Sequence, residues 1–407
     1  MNANPRNEIV SCIDIAMKEH GFSNIVVNLL GTNEKGEGFA ADLIFAEVTG
    51  TDQDNEERKV HLAIKMGKNS ANLRNSLPMR DIYERELFVY RTVLPTFHEF
   101  QLERNITETF EAYPKCYKTF LSEDSEVLVF ENLKKRGFVL HHPRKPMNLQ
   151  HIHLVLRNYA KLHALSLAMR DQDKKDFHEL TADYTSPMKE FVISSGVFRK
   201  KERVCELLEN GGRDDLVVKF EKEIGSRKEK IILDILNDVV EESVIIHGDC
   251  HNNNFLFRYE ENDEENPLDV AILDWQISTL NSPAMDLSCF LYLCASGESL
   301  SRLEELLELY HSNLRDFLRQ LGSDVEELFP YNILVNHWKK YTPYALALVT
   351  TFLELLFFQK QDVPEFENIQ EQSDMAKFME GNQLEDEDLY RERLISVIDH
   401  HFNFVLD

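Results

Sequence analysis

His247-Gly248-Asp249-Cys250-His251-Asn252-Asn253-Asn254, with Leu273-Asp274-Trp275-Gln276 following, sets an acid, an amide and a second acid at a chemically suggestive spacing. The pattern H-x-D-x-x-x-x-N with an Asp twenty residues beyond the Asn is one that phosphoryl transfer uses. In that arrangement Asp249 accepts a proton from a substrate hydroxyl. Asn254 and Asp274 offer hard oxygen ligands to the Mg²⁺ ions that bridge the phosphates of ATP. Apolar runs of strand character, residues 244–246 and 270–273, precede both pieces. His247 reads as a structural residue that orients the loop rather than as a proton carrier. Asp286, in Ser282-Pro283-Ala284-Met285-Asp286-Leu287, reads as a carboxylate that accepts hydrogen bonds from the catalytic loop and fixes its backbone.

Phosphoryl transfer also needs a cation for the α/β-phosphates, an acid to hold that cation, and a loop over the phosphates. Lys65, in His61-Leu62-Ala63-Ile64-Lys65, fits the V-A-I-K strand pattern, and Glu86 on the following helix is its expected partner. Glu84 should point away if Tyr83, Leu87 and Tyr90 face the core. Gly36 and Gly38, with Gly31, fall in a turn between two strands where a phosphate-covering loop belongs, without forming G-x-G-x-x-G. Glu131-Asn132-Leu133 follows a buried strand and is expected to offer its backbone to adenine as a hinge. His247, Asp249, Cys250 and His251 could be taken for zinc ligands, but their crowding on one short loop disfavours a closed tetrahedral site. Cys250, beside the expected base, reads as an inert thiol before a redox-sensitive one. His163 is expected in the core or hydrogen-bonded to the catalytic segment.

These residues need elements to hold them. Residues 7–20 place Ile9, Ile13, Ala16 and Met17 at helical spacing and end at Gly21. Strands are expected at 25–30, 39–48, 60–66 and 127–130, with a charged turn over 49–59. A helix is expected over 79–94, with Pro95 as its stop. After residue 148 the pattern becomes helical, at 149–169, 215–242, 301–321, 331–360 and 388–404. The implied class is α+β: a bilobal protein kinase-like fold with a β-rich N-lobe, residues 1–132, and a mainly helical C-lobe, residues 133–407. The acidic stretch 365–387 reads as a mobile surface segment.

The chain has 407 residues and a formal net charge of −26, which argues against nucleic acid or an anionic membrane as partner. The polar N-terminus has no apolar core of a signal peptide, and the run 344–358 is too short to span a bilayer. Six cysteines without C-x-x-C spacing suit free thiols in a reducing, cytosolic compartment.

The spacing also narrows the kinase class. Gly248 stands where a protein kinase has Arg, Trp275-Gln276 where it has Phe-Gly, and only eleven residues lie between Asp274 and Asp286. No peptide-binding shelf fits in that span, so the expected partner is a small molecule. His-Gly-Asp with Asn254, Leu-Asp-Trp-Gln, Ser-Pro-Ala-Met-Asp-Leu, Glu131-Asn132-Leu133 followed by Gly137-Phe138, and Leu162-His163-Ala164 together resemble the ecdysteroid kinase-like (CHK kinase-like) family of arthropods, within the choline kinase and aminoglycoside phosphotransferase superfamily. Trp275 departs from that family's usual Phe, and the glycine loop is a loose match. The resemblance implies ATP- and Mg²⁺-dependent phosphorylation of a hydroxyl on an ecdysteroid, a related steroid, or a xenobiotic alcohol or phenol. Shape-selective residues are expected among 183–203 and 331–358, where Trp338, Tyr341 and Tyr344 could wall an apolar pocket, although core packing is the plainer reading of any one of them. Two other classes remain open at this stage: a choline- or aminoglycoside-type kinase with a cationic substrate, and a non-catalytic nucleotide-binding scaffold.

Overall fold

The computed structural model describes residues 5–32, 41–70, 74, 78–123, 125–199, 201–261, 263–358, 383–404 and 406. The expected phosphate loop with Gly36 and Gly38 lies outside them, as does most of the acidic stretch 365–387.

The N-terminal part is built on a five-stranded antiparallel sheet in the order β1-β2-β3-β5-β4. Its strands are β1 (Ser23–Thr32), β2 (Ala41–Thr51), β3 (Glu57–Gly67), β4 (Cys116–Leu121) and β5 (Glu126–Glu131). Helix α1 (Pro5–Glu19) covers one face, laying Ile9, Ile13, Ala16 and Met17 on Ile44, Ala46, Leu62, Ile64 and Val129. It closes with Gly21 at φ +83°, where the Phe22 N–H reaches the Met17 carbonyl and the Gly21 N–H the Lys18 carbonyl. Side chains alternate along a strand, so with Leu62 and Ile64 under α1, Ala63 and Lys65 face the opposite side. That side is where chemistry can be done.

Helix α2 (Met79–Phe88) follows, and the stop expected at Pro95 does not occur. The chain passes through a π-helical turn (Val89–Val93) directly into α3 (Leu94–Glu103), with Pro95 in its first turn. Proline's missing N–H does little harm in a first turn, and the wider π turn ahead of it absorbs the ring. The expected turn over 49–59 is also shorter, because β2 and β3 continue pairing to Thr51 and Glu57.

Beyond β5 the structure turns helical. Strand β6 (Phe138–Leu140) leads to α4 (Leu149–Gln172), capped by the Asn148 side chain. Ile152, Val155, Leu156, Tyr159, Leu162 and Leu165 of α4 are fully buried, the face expected from their spacing. The expected helix 215–242 is instead two short ones, Asp214–Glu223 and Lys228–Leu236, broken at Gly225, and its last residues are not helical. Strand β7 (Val244–Ile246) pairs with β10 (Thr279–Asn281), while β8 (Phe255–Tyr259) pairs with β6 and β9 (Pro267–Ile272). The two motif-bearing strands therefore belong to different small sheets. Helix α5 (Pro283–Cys294) is buried along all twelve residues, and α6 (Leu303–Leu321) packs along α4. Helices Tyr331–Phe352 and Glu387–Asn403 complete the core. The fold is α+β and kinase-like, an antiparallel N-terminal sheet followed by a mainly helical part. No helix among the described residues is long and apolar enough to cross a membrane.

Candidate active site

On the open face of β3, Lys65 Nζ lies 2.7 Å from Glu86 Oε2 and 2.8 Å from Asp274 Oδ1. Strand β3, helix α2 and the segment after β9 thus meet on one ammonium group. Glu86 is buried, whereas Glu84 points out and pairs with Arg80. Burial opposes the charge on Lys65, but Asp274 and Glu86 together outweigh it and raise its pKa, so it stays a cation. Burial also pushes the Glu86 carboxyl upward against the pull of Lys65. Gln276 sets its amide beside the same groups, its oxygen toward Lys65 at 2.9 Å and its nitrogen toward Asp274 at 3.3 Å.

Asp274 has φ +64°, a left-handed conformation that short polar residues tolerate better than most. The turn aims its carboxylate at Lys65. Next to it Trp275 is fully buried and packs edge-on against His247, ring centroids 4.9 Å apart. Trp275 thus fills the core at that position while Asp274 keeps its place.

The loop 247–254 starts at the end of β7, and one buried carboxylate organises it. Asp286, in the first turn of α5, accepts from the His247 N–H at 2.7 Å, the Gly248 N–H at 2.8 Å, the Cys250 thiol at 3.2 Å and His163 Nε2 at 3.2 Å. The last contact puts a proton on His163 Nε2, and the Nδ1 of the same ring lies 2.9 Å from the Tyr310 hydroxyl. Burial raises the Asp286 pKa, but His163 and the backbone donors outweigh it and hold the group below the ordinary value. His247 Nε2 donates to the Leu273 carbonyl at 2.8 Å, tying the loop to the Asp274 segment. Gly248 sits at φ +87°, and a Cβ there would come within 2.8 Å of the Ile277 carbonyl oxygen. Cys250 is buried, and burial, then the Asp286 charge, pushes its thiol pKa up, the setting of a core thiol.

Asp249 is held by its own loop. Asn254 Nδ2 donates to the Asp249 carboxylate and to its carbonyl, both at 2.9 Å, and His251 Nε2 lies 3.4 Å from the other carboxylate oxygen. Burial works against ionisation, yet His251, His247 and the Asn254 bond prevail and lower the Asp249 pKa to about 2. The Leu273 N–H donates to the Asn254 carbonyl at 2.8 Å, and β8 and β9 pair Phe255 with Ile272. That register brings Asn254 and Asp274 to neighbouring strand ends.

The donor set suits a hard cation. With Nδ2 of Asn254 committed to Asp249, the amide oxygen is the atom left to face a metal, and Asp274 adds a carboxylate. One amide oxygen and one carboxylate are oxygen donors of the kind that Mg²⁺ accepts, and among the described residues no group of three or more His, Cys, Asp or Glu side chains could hold a metal ion.

Glu131 and Asn132 lie at the end of β5, where the Asn132 N–H donates to the His61 carbonyl and its side chain accepts from the Lys134 N–H. Leu133 is buried in a small cluster with Phe138, Leu256 and Ala271. Trp338, Tyr341 and Tyr344 are core residues, with the Tyr341 hydroxyl donating to Asp238.

Several supports were invisible in the sequence. Asn252 Nδ2 donates to the carbonyls of His142, Pro143 and Lys145, fastening the loop 247–254 to the segment after β6. Tyr310, Tyr184 and Ser278 also support the site from positions that no local motif marks, and Gln276, though inside the Leu273–Gln276 motif, has no role that the motif assigns.

No curated protein matches the chain in sequence. Among solved structures it is similar to the GDP complex of wild-type aminoglycoside 2'-phosphotransferase-IIIa, at 11% identity over 99% of this chain and 100% of that one, with a TM-score of 0.43. It is similar as well to the GDP complex of a point mutant of aminoglycoside 2'-phosphotransferase-IIIa, at 11% identity over 91% and 95% of the two chains, TM-score 0.41. The ecdysteroid kinase-like family profile matches residues 35–323, more than half of the chain, and the chain belongs to that family.

Proposed function

We propose that this chain is an ATP- and Mg²⁺-dependent kinase that phosphorylates a hydroxyl on a small molecule, an ecdysteroid or a related steroid, alcohol or phenol. The observation that carries the reading is the meeting of Lys65, Glu86 and Asp274 on one cation beside a loop that holds Asp249 and Asn254 together. Residues 1–132 would hold the nucleotide and residues 133–407 the acceptor, with the backbone at Glu131-Asn132-Leu133 against the base and Gly36 and Gly38 over the phosphates.

The chemistry follows from the side chains. Lys65, positioned by Glu86, binds the α/β-phosphates. Asn254 and Asp274 would hold Mg²⁺, whose charge offsets that of the β- and γ-phosphates when bound. Asp249, ionised at neutral pH, accepts a hydrogen bond from the acceptor hydroxyl and turns its lone pair toward the γ-phosphorus. As the new O–P bond forms and the bond to the β–γ bridging oxygen breaks, the hydroxyl proton passes to Asp249, leaving ADP and a phosphate monoester. A carboxyl held near pKa 2 is a weak base, so Asp249 orients the hydroxyl early and takes its proton late, as a loose transition state requires.

The test is incubation with Mg·ATP and a panel of ecdysteroids, plant phenols, choline and aminoglycosides, with products read by mass. A phosphorylated steroid or phenol, absent with Asp249→Asn, supports the proposal. A phosphorylated cation moves the chain to the choline-type branch, and nucleotide binding without any product leaves a scaffold.

A further inference from the structure

Helix α2 carries Glu86 on its inner face, while its outer face looks onto open space. A cavity of about 610 Å³ lies between Asp81 and Glu84 and residues 179–190, and it is bridged by Phe88, whose ring centre lies 5.9 Å from that of Tyr184. Apolar contact across that side is the single ring pair Phe88–Tyr184, so polar contacts share in holding α2 there. Arg85 reaches across beside Phe88. Its guanidinium lies 3.8 Å from the centre of the Tyr184 ring, and its Nη2 donates to the Thr185 carbonyl at 2.7 Å and approaches the Asp183 carbonyl at 3.5 Å.

Tyr184 is in turn fixed to the catalytic segments. Its carbonyl accepts from the Leu280 N–H, and its hydroxyl lies 2.7 Å from Ser278 Oγ. Ser278 Oγ donates its single proton to the Ile246 carbonyl at 2.5 Å, so the Tyr184 hydroxyl must be the donor to Ser278. Ile246 is the residue before His247, and Ser278 lies four residues after Asp274. Both groups are buried.

We propose that Arg85, Tyr184 and Ser278 form a positioning relay that sets α2, and with it the Glu86–Lys65 contact, by the same strand ends that carry Asp249 and Asp274. The significance of the relay for phosphoryl transfer rests on the kinase reading. Its existence does not. None of the three residues touches the reacting groups. They act through Glu86, and the segment 183–185, part of the helical region, becomes the link by which that region reports to the phosphate site.

The experiment uses the full chain with Arg85→Ala, Arg85→Lys, Tyr184→Phe, Glu86→Gln and the double variant Arg85→Ala/Glu86→Gln. Amide hydrogen exchange is followed without nucleotide, and Mg·AMP-PNP affinity is measured by calorimetry. In the free protein Arg85→Ala and Tyr184→Phe should each speed exchange in Met79–Phe88 and around Ile246, two regions far apart in sequence. Arg85→Ala should weaken nucleotide binding about tenfold, the size of one charge-assisted hydrogen bond, with partial recovery in Arg85→Lys. The double variant should bind no more than about twofold more weakly than Glu86→Gln, because the relay acts through that residue. Unchanged exchange in both regions, or a double variant whose losses multiply, would overturn the relay. If the unmodified chain fails to bind Mg·AMP-PNP, the kinase reading falls, while the exchange data still decide the relay.

Discussion

Replacing Asp286 by Asn tests the physical basis of the loop 247–254, because shape is kept and hydrogen-bonding capacity is not. Each Asp286 oxygen accepts two hydrogen bonds, Oδ2 from the His247 N–H and His163, Oδ1 from the Gly248 N–H and the Cys250 thiol. Only an ionised carboxylate offers four acceptances and no donor. An Asn amide must turn its NH₂ to one side. Toward the first pair, His163 can switch tautomer, but the His247 N–H is stranded. Toward the second, the thiol can rotate, but the Gly248 N–H is stranded. One buried backbone donor without a partner costs roughly 1–3 kcal/mol, and losing the charge from the surviving bonds adds about 1 kcal/mol. The variant should therefore be about 2–4 kcal/mol less stable, with turnover falling further because the loop no longer holds Asp249. Urea unfolding followed by fluorescence measures this, with buried Trp275, one of two tryptophans, as a reporter beside the loop. The pH dependence has a definite sign. The native pKa of Asp286 is depressed, so its contribution is complete above the ordinary value of 3.8 and is lost as pH falls through the native value. The gap between parent and variant should accordingly be full at neutral pH and close in acid. A variant within about 0.5 kcal/mol of the parent at pH 7 would refute the account.

Three further outcomes are expected. Gly248→Ala should lose about 2 kcal/mol or more and most of its turnover, since it places a Cβ 2.8 Å from the Ile277 carbonyl at a left-handed φ; an active variant of parental melting temperature would show that the turn relaxes freely. His151 is buried, with Nδ1 2.7 Å from the Asn148 amide oxygen and Nε2 2.7 Å from the Tyr259 hydroxyl, which fits a neutral ring protonated on Nδ1. Burial, then His141, lowers its pKa to about 4, so stability should fall as pH drops from 6.5 toward 4, by about 2 kcal/mol at pH 5; unfolding curves of the parent and His151→Gln that stay parallel from pH 7 to 5 would contradict this. Cys250, Cys289 and Cys294 are buried with raised pKa values, and thiol labelling mapped by mass should reach them only at the rate of unfolding; rapid labelling of Cys250 in the native chain would place it in contact with solvent.

The parts legible in the sequence are those whose physics is local. The helix 149–169 announces itself through a spacing of apolar residues that survives in the fold, and α1 ends where Gly21 permits a left-handed turn. Lys65 and Glu86 could be paired because strand alternation and helical spacing each fix which way a side chain points. Helix α5 escaped the same reasoning, although Ser282 caps it and Pro283 opens it. All of its residues are buried, so no polar face marks a period. The short helices Lys174–Thr181, Lys189–Ser195 and Glu202–Asn210 were missed because each spans only two or three turns, too few for a pattern to stand out.

Long-range polar contacts set a different limit. Asp286 could be read as a support for the loop because it lies a fixed, short distance beyond Asp274, and few buried carboxylates lack such a task. Nothing near Tyr184 or Arg85 says that they meet, because the contact spans ninety-nine residues and joins a helix to an irregular turn. The chemistry of a site concentrates in short motifs because reacting atoms must be neighbours within a few ångströms. Its stiffness comes from wherever the fold returns the chain to that place. A substitution at Asp249 would test the first of these. Substitutions at Arg85 and Tyr184 test the second, and there the proposed setting of the Lys65–Glu86 contact by the helical region can be separated from the proposed transfer.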